Sequence, residues 1–214
     1  RSFKMSGMEN FIESFLQHVI TFFAIIDPIG ASALMLSILH KDVTKEEIRE
    51  IAYKSTLTAV IAFFVVLIGG NIVLKMFGID INSIKVMGGI ILIMMAIQMI
   101  QGKKEEGNIQ EKSSSDMTIV PIAIPIIFGP AIFTTVIIVK EHSEGFIELL
   151  PIIFAFLVNA LVVYLVFRNS IYIKQYLGVT GQAVITKIMG LIVGAIAVQF
   201  IISGSVTLVN MYLN

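Results

Sequence analysis

The chain has 214 residues, equal numbers of acidic and basic side chains, 57% hydrophobic residues, 14% charged residues and a mean hydropathy of +0.93. That balance lies far from an ordinary soluble domain, and a net charge of zero leaves no electrostatic footprint for nucleic acid. The absence of cysteine excludes disulfides, thiolate metal sites and a cysteine nucleophile, and histidines at 18, 40 and 142 lack metal-ligand spacing.

A helix needs ~20 mostly apolar residues to cross ~30 Å of hydrocarbon, and six stretches qualify: 11–39, 55–77, 83–101, 117–139, 147–168 and 183–211. Residues 1–10 are polar and carry no signal-peptide pattern. The first stretch is interrupted by Asp27-Pro28-Ile29-Gly30. Asp is a preferred N-cap, and Pro suits the first helical position because its missing N–H would be unpaired there anyway. The residues therefore predict a helix to about Ile25, a break, and a new helix from Pro28 to Leu39. In the loop that follows, Thr44 is the expected N-cap of the second helix, with Glu46 and Glu47 favouring its dipole. The fourth stretch repeats the interruption with Gly129-Pro130, loosened upstream by Pro121 and Pro125. Between the third and fourth lies the longest polar segment, 103–116, rich in Lys, Glu and Ser and without periodicity, which reads as an exposed linker.

The linker divides an internal repeat, 11–102 and 117–211, within one transmembrane domain covering 1–214. A shift of 102 lays Asp27-Pro28 on Gly129-Pro130, Ser32-Ala33 on Thr134-Thr135, and Lys85-Val86-Met87-Gly88 on Lys187-Ile188-Met189-Gly190. Around Phe77-Gly78-Ile79 the match slips to 100, onto Leu177-Gly178-Val179. Three spans per half is an odd number, so the second half enters the membrane from the opposite side. The expected fold is an all-α polytopic membrane protein: six transmembrane helices in two inverted three-helix repeats, the first helix of each broken. Secondary transporters use this plan, with the site where discontinuous helices meet. Ten of the fifteen Lys and Arg fall on the side of the linker, which the positive-inside rule makes cytoplasmic, with both termini extracytoplasmic.

Asp27 is the only acidic residue deep in a predicted span, and an ionisable group at that depth marks a functional site unless its role is structural. One reading is an N-cap that satisfies the amides of a kinked helix. The other adds a meeting with a substrate ammonium, a proton or Na⁺. Gly129 makes the same break without a charge, so the geometry does not require the carboxylate. The half-helix N-termini after Asp27 and Gly129 would offer free N–H groups and positive dipole ends to an anion. The expected binding set is Asp27, Pro28, Ile29, Gly30, Gly129, Pro130, Ala131 and Thr134, with Asp27 also carrying ion coupling. Thr134, Thr135 and Ser32 have a plainer alternative, bonding back to their own helix carbonyls. Asn71, Gln98, Asn159, Gln199, Ser203 and Thr207 read as polar contacts between helices, and Gly190-x-x-x-Gly194 as close packing within the chain or, alternatively, a dimer face.

Ile25-Ile26-Asp27-Pro28-Ile29-Gly30, Phe77-Gly78-Ile79 with Gly88-Gly89-Ile90, Pro121-Ile122-Ala123-Ile124-Pro125 with Phe128-Gly129-Pro130-Ala131, and Leu177-Gly178-Val179-Thr180-Gly181 with Met189-Gly190-Leu191 resemble the MarC family of small integral membrane proteins. Ala131, where a second Gly often follows the Gly-Pro, and Lys187, where Arg is common, depart from its pattern. The resemblance implies six spans and transport of small neutral amino acids such as glycine and alanine across the cytoplasmic membrane. It places function at Asp27, Pro28, Gly30, Gly129 and Pro130. The expected protein is thus a secondary transporter in the lipid bilayer, working by alternating access. It would be coupled to Na⁺ or H⁺, need no other cofactor, bind no nucleic acid, and be open to homo-oligomerisation. The alternatives are a non-transporting scaffold, a stress- or resistance-associated membrane protein, or an exporter of another small solute. No enzyme is expected: one buried carboxylate is half an aspartyl dyad, and there is no Ser/His set, metal set or phosphate-binding GxxxxGK[ST] loop.

Overall fold

The structure is a computed structural model and describes residues 2–39, 43–102, 127–141, 143 and 145–213. These are almost entirely helical, with no strand among them. The helices are α1 (Ser2–Ile26), α2 (Pro28–Ile38), α3 (Lys45–Met76), α4 (Ile81–Gln101), α5 (Pro130–Glu141), α6 (Phe146–Arg168) and α7 (Ser170–Leu213). Five stretches are long and apolar enough to cross a membrane: Met8–Ile38, which combines α1 and α2, Lys45–Met76, Ile81–Gln101, Ile147–Arg168 and Ser170–Leu213. The all-α, multi-pass membrane class expected from the sequence is what the chain adopts. Of the expected fourth span, 127–139 forms its break and most of α5. Residues 117–126, with Pro121 and Pro125, lie outside the described residues, as do the linker 103–116, His40 and His142.

Two helices reach further than their apolar stretches. α3 starts at Lys45 because Thr44 builds a capping box: its hydroxyl accepts from Glu47 N–H at 3.2 Å while the Glu47 carboxylate accepts from Thr44 N–H at 2.7 Å. Its 32 residues run about 48 Å, so the polar first turns extend beyond a ~30 Å hydrocarbon core. α7 starts at Ser170 but breaks at Gly178, where φ is 64° and ψ 177°. Gly78, with which Gly178 aligns in the sequence at a shift of 100, has φ 65° between α3 and α4. Both glycines hold a left-handed conformation that a Cβ would strain.

α4 and α7 lie antiparallel in close contact. A Cβ on Gly89 would stand 2.8 Å from the Ala197 carbonyl oxygen, one on Gly190 3.2 Å from that of Ala96, and one on Gly204 2.9 Å from that of Asn82. Gly190 and Gly194 both face α4, so the GxxxG serves packing within the chain. At the centre, Phe63 of α3 stacks on Phe156 of α6 at 4.0 Å between centroids, with Phe22 of α1 edge-on to both. Outward faces carry apolar stripes such as Ile61, Val65, Ile68 and Ile72, at the spacing of a lipid-facing helix side.

The half-helices occupy related places. α2 packs on α7 and α6, while α5 packs on α4 and α3. Exchanging α2 with α5, α3 with α6 and α4 with α7 maps each of these contacts onto another. The two also run toward opposite ends of the bundle. α2 ends a short loop before the start of α3, whereas the end of α5 sits beside the far end of α3, where Asn71 donates to Glu141 at 2.8 Å and Lys140 to the Ile68 carbonyl at 3.4 Å.

Candidate functional site

The backbone at the first break is tighter than a simple cap requires. Asp27 N–H donates to Phe23 C=O at 3.0 Å and Asp27 C=O accepts from Ala31 N–H at 2.8 Å, so helical hydrogen bonds flank the interruption. Pro28 has no N–H, which leaves the Ala24 carbonyl without its regular helical donor. Asp27 absorbs the change of direction with φ 44° and ψ 68°, the one left-handed non-glycine among the described residues. N-caps ordinarily take extended backbone. The left-handed form costs a residue with a Cβ about 1–2 kcal/mol, a cost Asp and Asn tolerate better than most.

Asp27 is 5% exposed, between buried Ile25, Ile26 and Pro28. Its carboxylate accepts from Gly30 N–H at 3.2 Å and from the Thr186 hydroxyl of α7. Gly30 is required there: a Cβ would lie within overlap distance of the carboxylate and 2.6 Å from the Thr186 hydroxyl oxygen. An ionised carboxylate presents about four acceptor positions, so these two donors leave capacity for a cation or an ammonium group. One turn before Thr186 on the same α7 face, Gln182 is 4% exposed and its amide nitrogen has no hydrogen-bond partner.

The second break is built from the same parts and ends differently. Gly129 is half-buried, its carbonyl accepting from Phe133 N–H at 3.1 Å, while Pro130 is exposed and Ala131 is buried. Thr134 and Thr135 donate to the carbonyls of Pro130 and Ala131, each at 2.8 Å, and Ser32 donates to that of Ile29 at 2.8 Å. The plainer alternative for these hydroxyls therefore describes their hydrogen bonds. The Thr134 methyl presses on Gly88 of α4, and Ile29 is half-buried beside Pro28.

The structure thus brings Asp27 and Gly30 together with Thr186, and Thr134 together with Gly88. Hydrogen bonds among the described residues do not join the two breaks. A relay of rings does: Phe156 touches Phe22, five residues before Asp27, at 5.4 Å and Phe128, next to Gly129, at 6.2 Å. Thr186 and Gln182 are absent from the expected set. The available signal for Thr186 was a polar residue within a predicted span, aligned with apolar Ile84 of the first half. Among the expected interhelical contacts, Asn159 donates to the Val19 carbonyl of α1 at 3.1 Å and Asn71 reaches Glu141. Ser203 and Thr207 bond within their own helix. Among the described residues no group of three His, Asp or Glu is placed to hold a metal ion.

Comparison with known proteins places this architecture. Residues 12–209 match the family described as MarC family integral membrane protein. The chain is 29% identical to a UPF0056 membrane protein of Aquifex aeolicus, over 94% of this chain and 96% of that one. It is 31% identical to the UPF0056 membrane protein YvbG of Bacillus subtilis, over 89% and 94%, and 32% identical to a UPF0056 membrane protein of Pyrococcus horikoshii, over 90% and 94%. No solved structure matches. With a family match from residue 12 to residue 209, carrying both breaks and every described helix, this chain belongs to the MarC family of integral membrane proteins.

Proposed function

We propose that this chain is a secondary transporter of small neutral amino acids, glycine- or alanine-like zwitterions, working by alternating access in the cytoplasmic membrane. The observation that carries the reading is a buried carboxylate at the N-cap of a broken helix, inside an apolar bundle, with acceptor capacity to spare. A zwitterion brings an ammonium for Asp27 and a carboxylate for the unused buried Gln182 amide, in the field of the α2 N-terminus, whose Gly30 and Ala31 N–H groups are already taken by Asp27. Ion coupling would use the same carboxylate, through Na⁺ or H⁺. The matched contacts of α2 and α5, running toward opposite ends of the bundle, support an inverted repeat whose halves rock against each other. Buried Ile26, Phe128 and Ala131 and half-buried Ile29, which flank the breaks, favour small side chains on the solute. Termini on the extracytoplasmic side and a cytoplasmic linker complete the arrangement, with a second copy of the chain as an optional partner.

A second reading, a non-transporting membrane protein whose breaks are structural, draws on one observation: the hydroxyls of Ser32, Thr134 and Thr135 are used within their own helices. The two part on Asp27→Asn. Asn caps a helix about as well as Asp, so stability should change by under about 1 kcal/mol. Flux of labelled alanine or glycine into proteoliposomes, driven by a Na⁺ or proton gradient, should fall to background. Unaltered gradient-driven flux in the variant removes Asp27 from the mechanism. No flux from the unaltered protein, together with no thermal stabilisation by millimolar alanine or glycine, establishes the structural reading.

A further inference from the structure

We propose that the end of the bundle where α3 finishes and α4 begins holds a second binding site, for a small monocarboxylate, with Lys85 as its charged ligand. Four helices converge there on a cavity of about 290 Å³: His18 comes from α1, Lys85 from α4, Ile138 and Val139 from α5, and Gln199, Phe200 and Ser203 from α7. The volume holds a small anion such as acetate together with several waters that can bridge it to the walls. The site is separate from the break, because His18 lies nine residues before Asp27 on α1, about 13 Å along the helix axis.

The charge argument sets the sign. Lys85 is half-buried in the second turn of α4, and among the described residues no carboxylate lies within ion-pair distance of it. Its place near the positive end of the α4 dipole adds to the field rather than cancelling it. Asp80, the nearest acidic group along the chain, accepts from Asn82 N–H at 2.8 Å as the α4 N-cap and makes no ion pair with Lys85. A cation facing a polar space between membrane helices is ordinarily neutralised by a partner or placed at a solute pathway. Gln199 supplies an amide donor for a carboxylate, and the Ser203 hydroxyl can turn to it from its long 3.5 Å bond to the Phe200 carbonyl. His18 also lines a second cavity of about 460 Å³, together with Asn10, Ser14 and Glu148. The competing explanation is that Lys85 reaches to the membrane surface as an ordinary interfacial lysine.

The chain contains no tryptophan, so Phe200→Trp places a single indole in the cavity wall. Titrating the purified full chain with sodium acetate at constant ionic strength should give a saturable fluorescence change. Lys85→Gln should weaken it at least about tenfold, the loss expected when one charge-assisted contact is removed. Lys85→Arg should restore it, and Lys75→Gln should leave it unchanged. Thermal stabilisation of the tryptophan-free protein by acetate, lost in Lys85→Gln, tests the same point if the indole disturbs folding. A response equal in Lys85→Gln, or no saturable response by either measurement, leaves Lys85 as an interfacial lysine and overturns the site. Neither measurement depends on transport, so failure here is distinguishable from failure of the transport reading.

Discussion

The two breaks use the same construction for different ends. Each places Pro at the start of a short half-helix inside an apolar stretch, and each half-helix packs on the long helix that ends the other half of the chain. At the first, the cap is a buried charged residue in a left-handed conformation, and Gly30 makes room for its carboxylate and for Thr186 of α7. At the second, the cap is a glycine, the proline is exposed, and the side chain at the helix contact is Thr134, pressed on Gly88 of α4. The small and the large residue have changed sides. Breaking a membrane helix therefore needs Pro and a permissive cap, whereas the carboxylate is an addition that costs desolvation and backbone strain. A feature that costs stability without being needed for the geometry is where function is expected.

The largest effect that would sharpen this contrast is loss of gradient-driven flux in Asp27→Asn with the fold retained. Gly88→Ala comes next and should act through stability. Its Cβ would meet the Thr134 methyl within overlap distance and the Thr134 Cβ at 2.8 Å, atoms close to the α5 backbone that cannot swing away. Loss of about 1–3 kcal/mol, the usual range for overpacking, should appear in thermal or denaturant unfolding. Thr134→Ser removes the clashing methyl but keeps the Cβ, so it should restore part of that loss in the double variant. Full destabilisation of the double variant breaks the account of the second contact.

Gly30→Ala should act on flux as well as on stability. Its Cβ would crowd the Asp27 carboxylate, with Cγ at 2.9 Å, and the Thr186 hydroxyl oxygen at 2.6 Å, so flux should fall as in Asp27→Asn in addition to a loss in the same unfolding assay. Flux retained by Gly30→Ala at the level of an equally destabilised Gly88→Ala would erase the distinction between the breaks. The smallest effect is expected from Thr186→Val, which removes one hydrogen bond worth about 1 kcal/mol. It should reduce flux severalfold without abolishing it, measured in the same proteoliposomes.

The positions of the breaks were legible in the sequence because Pro, Gly and Asp stand out against an apolar background, and because Pro at the first helical position carries its own steric reason. The Thr44 cap was legible for the same kind of local reason, a preferred N-cap residue followed by Glu46 and Glu47 in the first turn, and the structure adds that Glu47 completes a capping box. Thr186 was not. It is one more hydroxyl in a long helix, and only the docking of α2 on α7 sets it beside Gly30 and Asp27. The apolar stretches 55–77 and 183–211 begin well inside α3 and α7 because hydropathy marks where lipid begins, while capping and a left-handed glycine decide where a helix begins and bends.

By itself, the sequence determined the membrane class, the helical content, both broken helices and the single buried-carboxylate candidate. Each follows from local chemistry: backbone groups in hydrocarbon must be satisfied within a helix, and proline cannot continue the ladder. Only the tertiary structure decided that Asp27 takes a left-handed backbone, that Thr186 and Gln182 stand near it, that Thr134 is spent on packing against Gly88, and that Gly190 and Gly194 face α4 within the chain. Those facts depend on which faces of distant helices meet. Apolar residues of similar size specify such a meeting only through their packing in three dimensions.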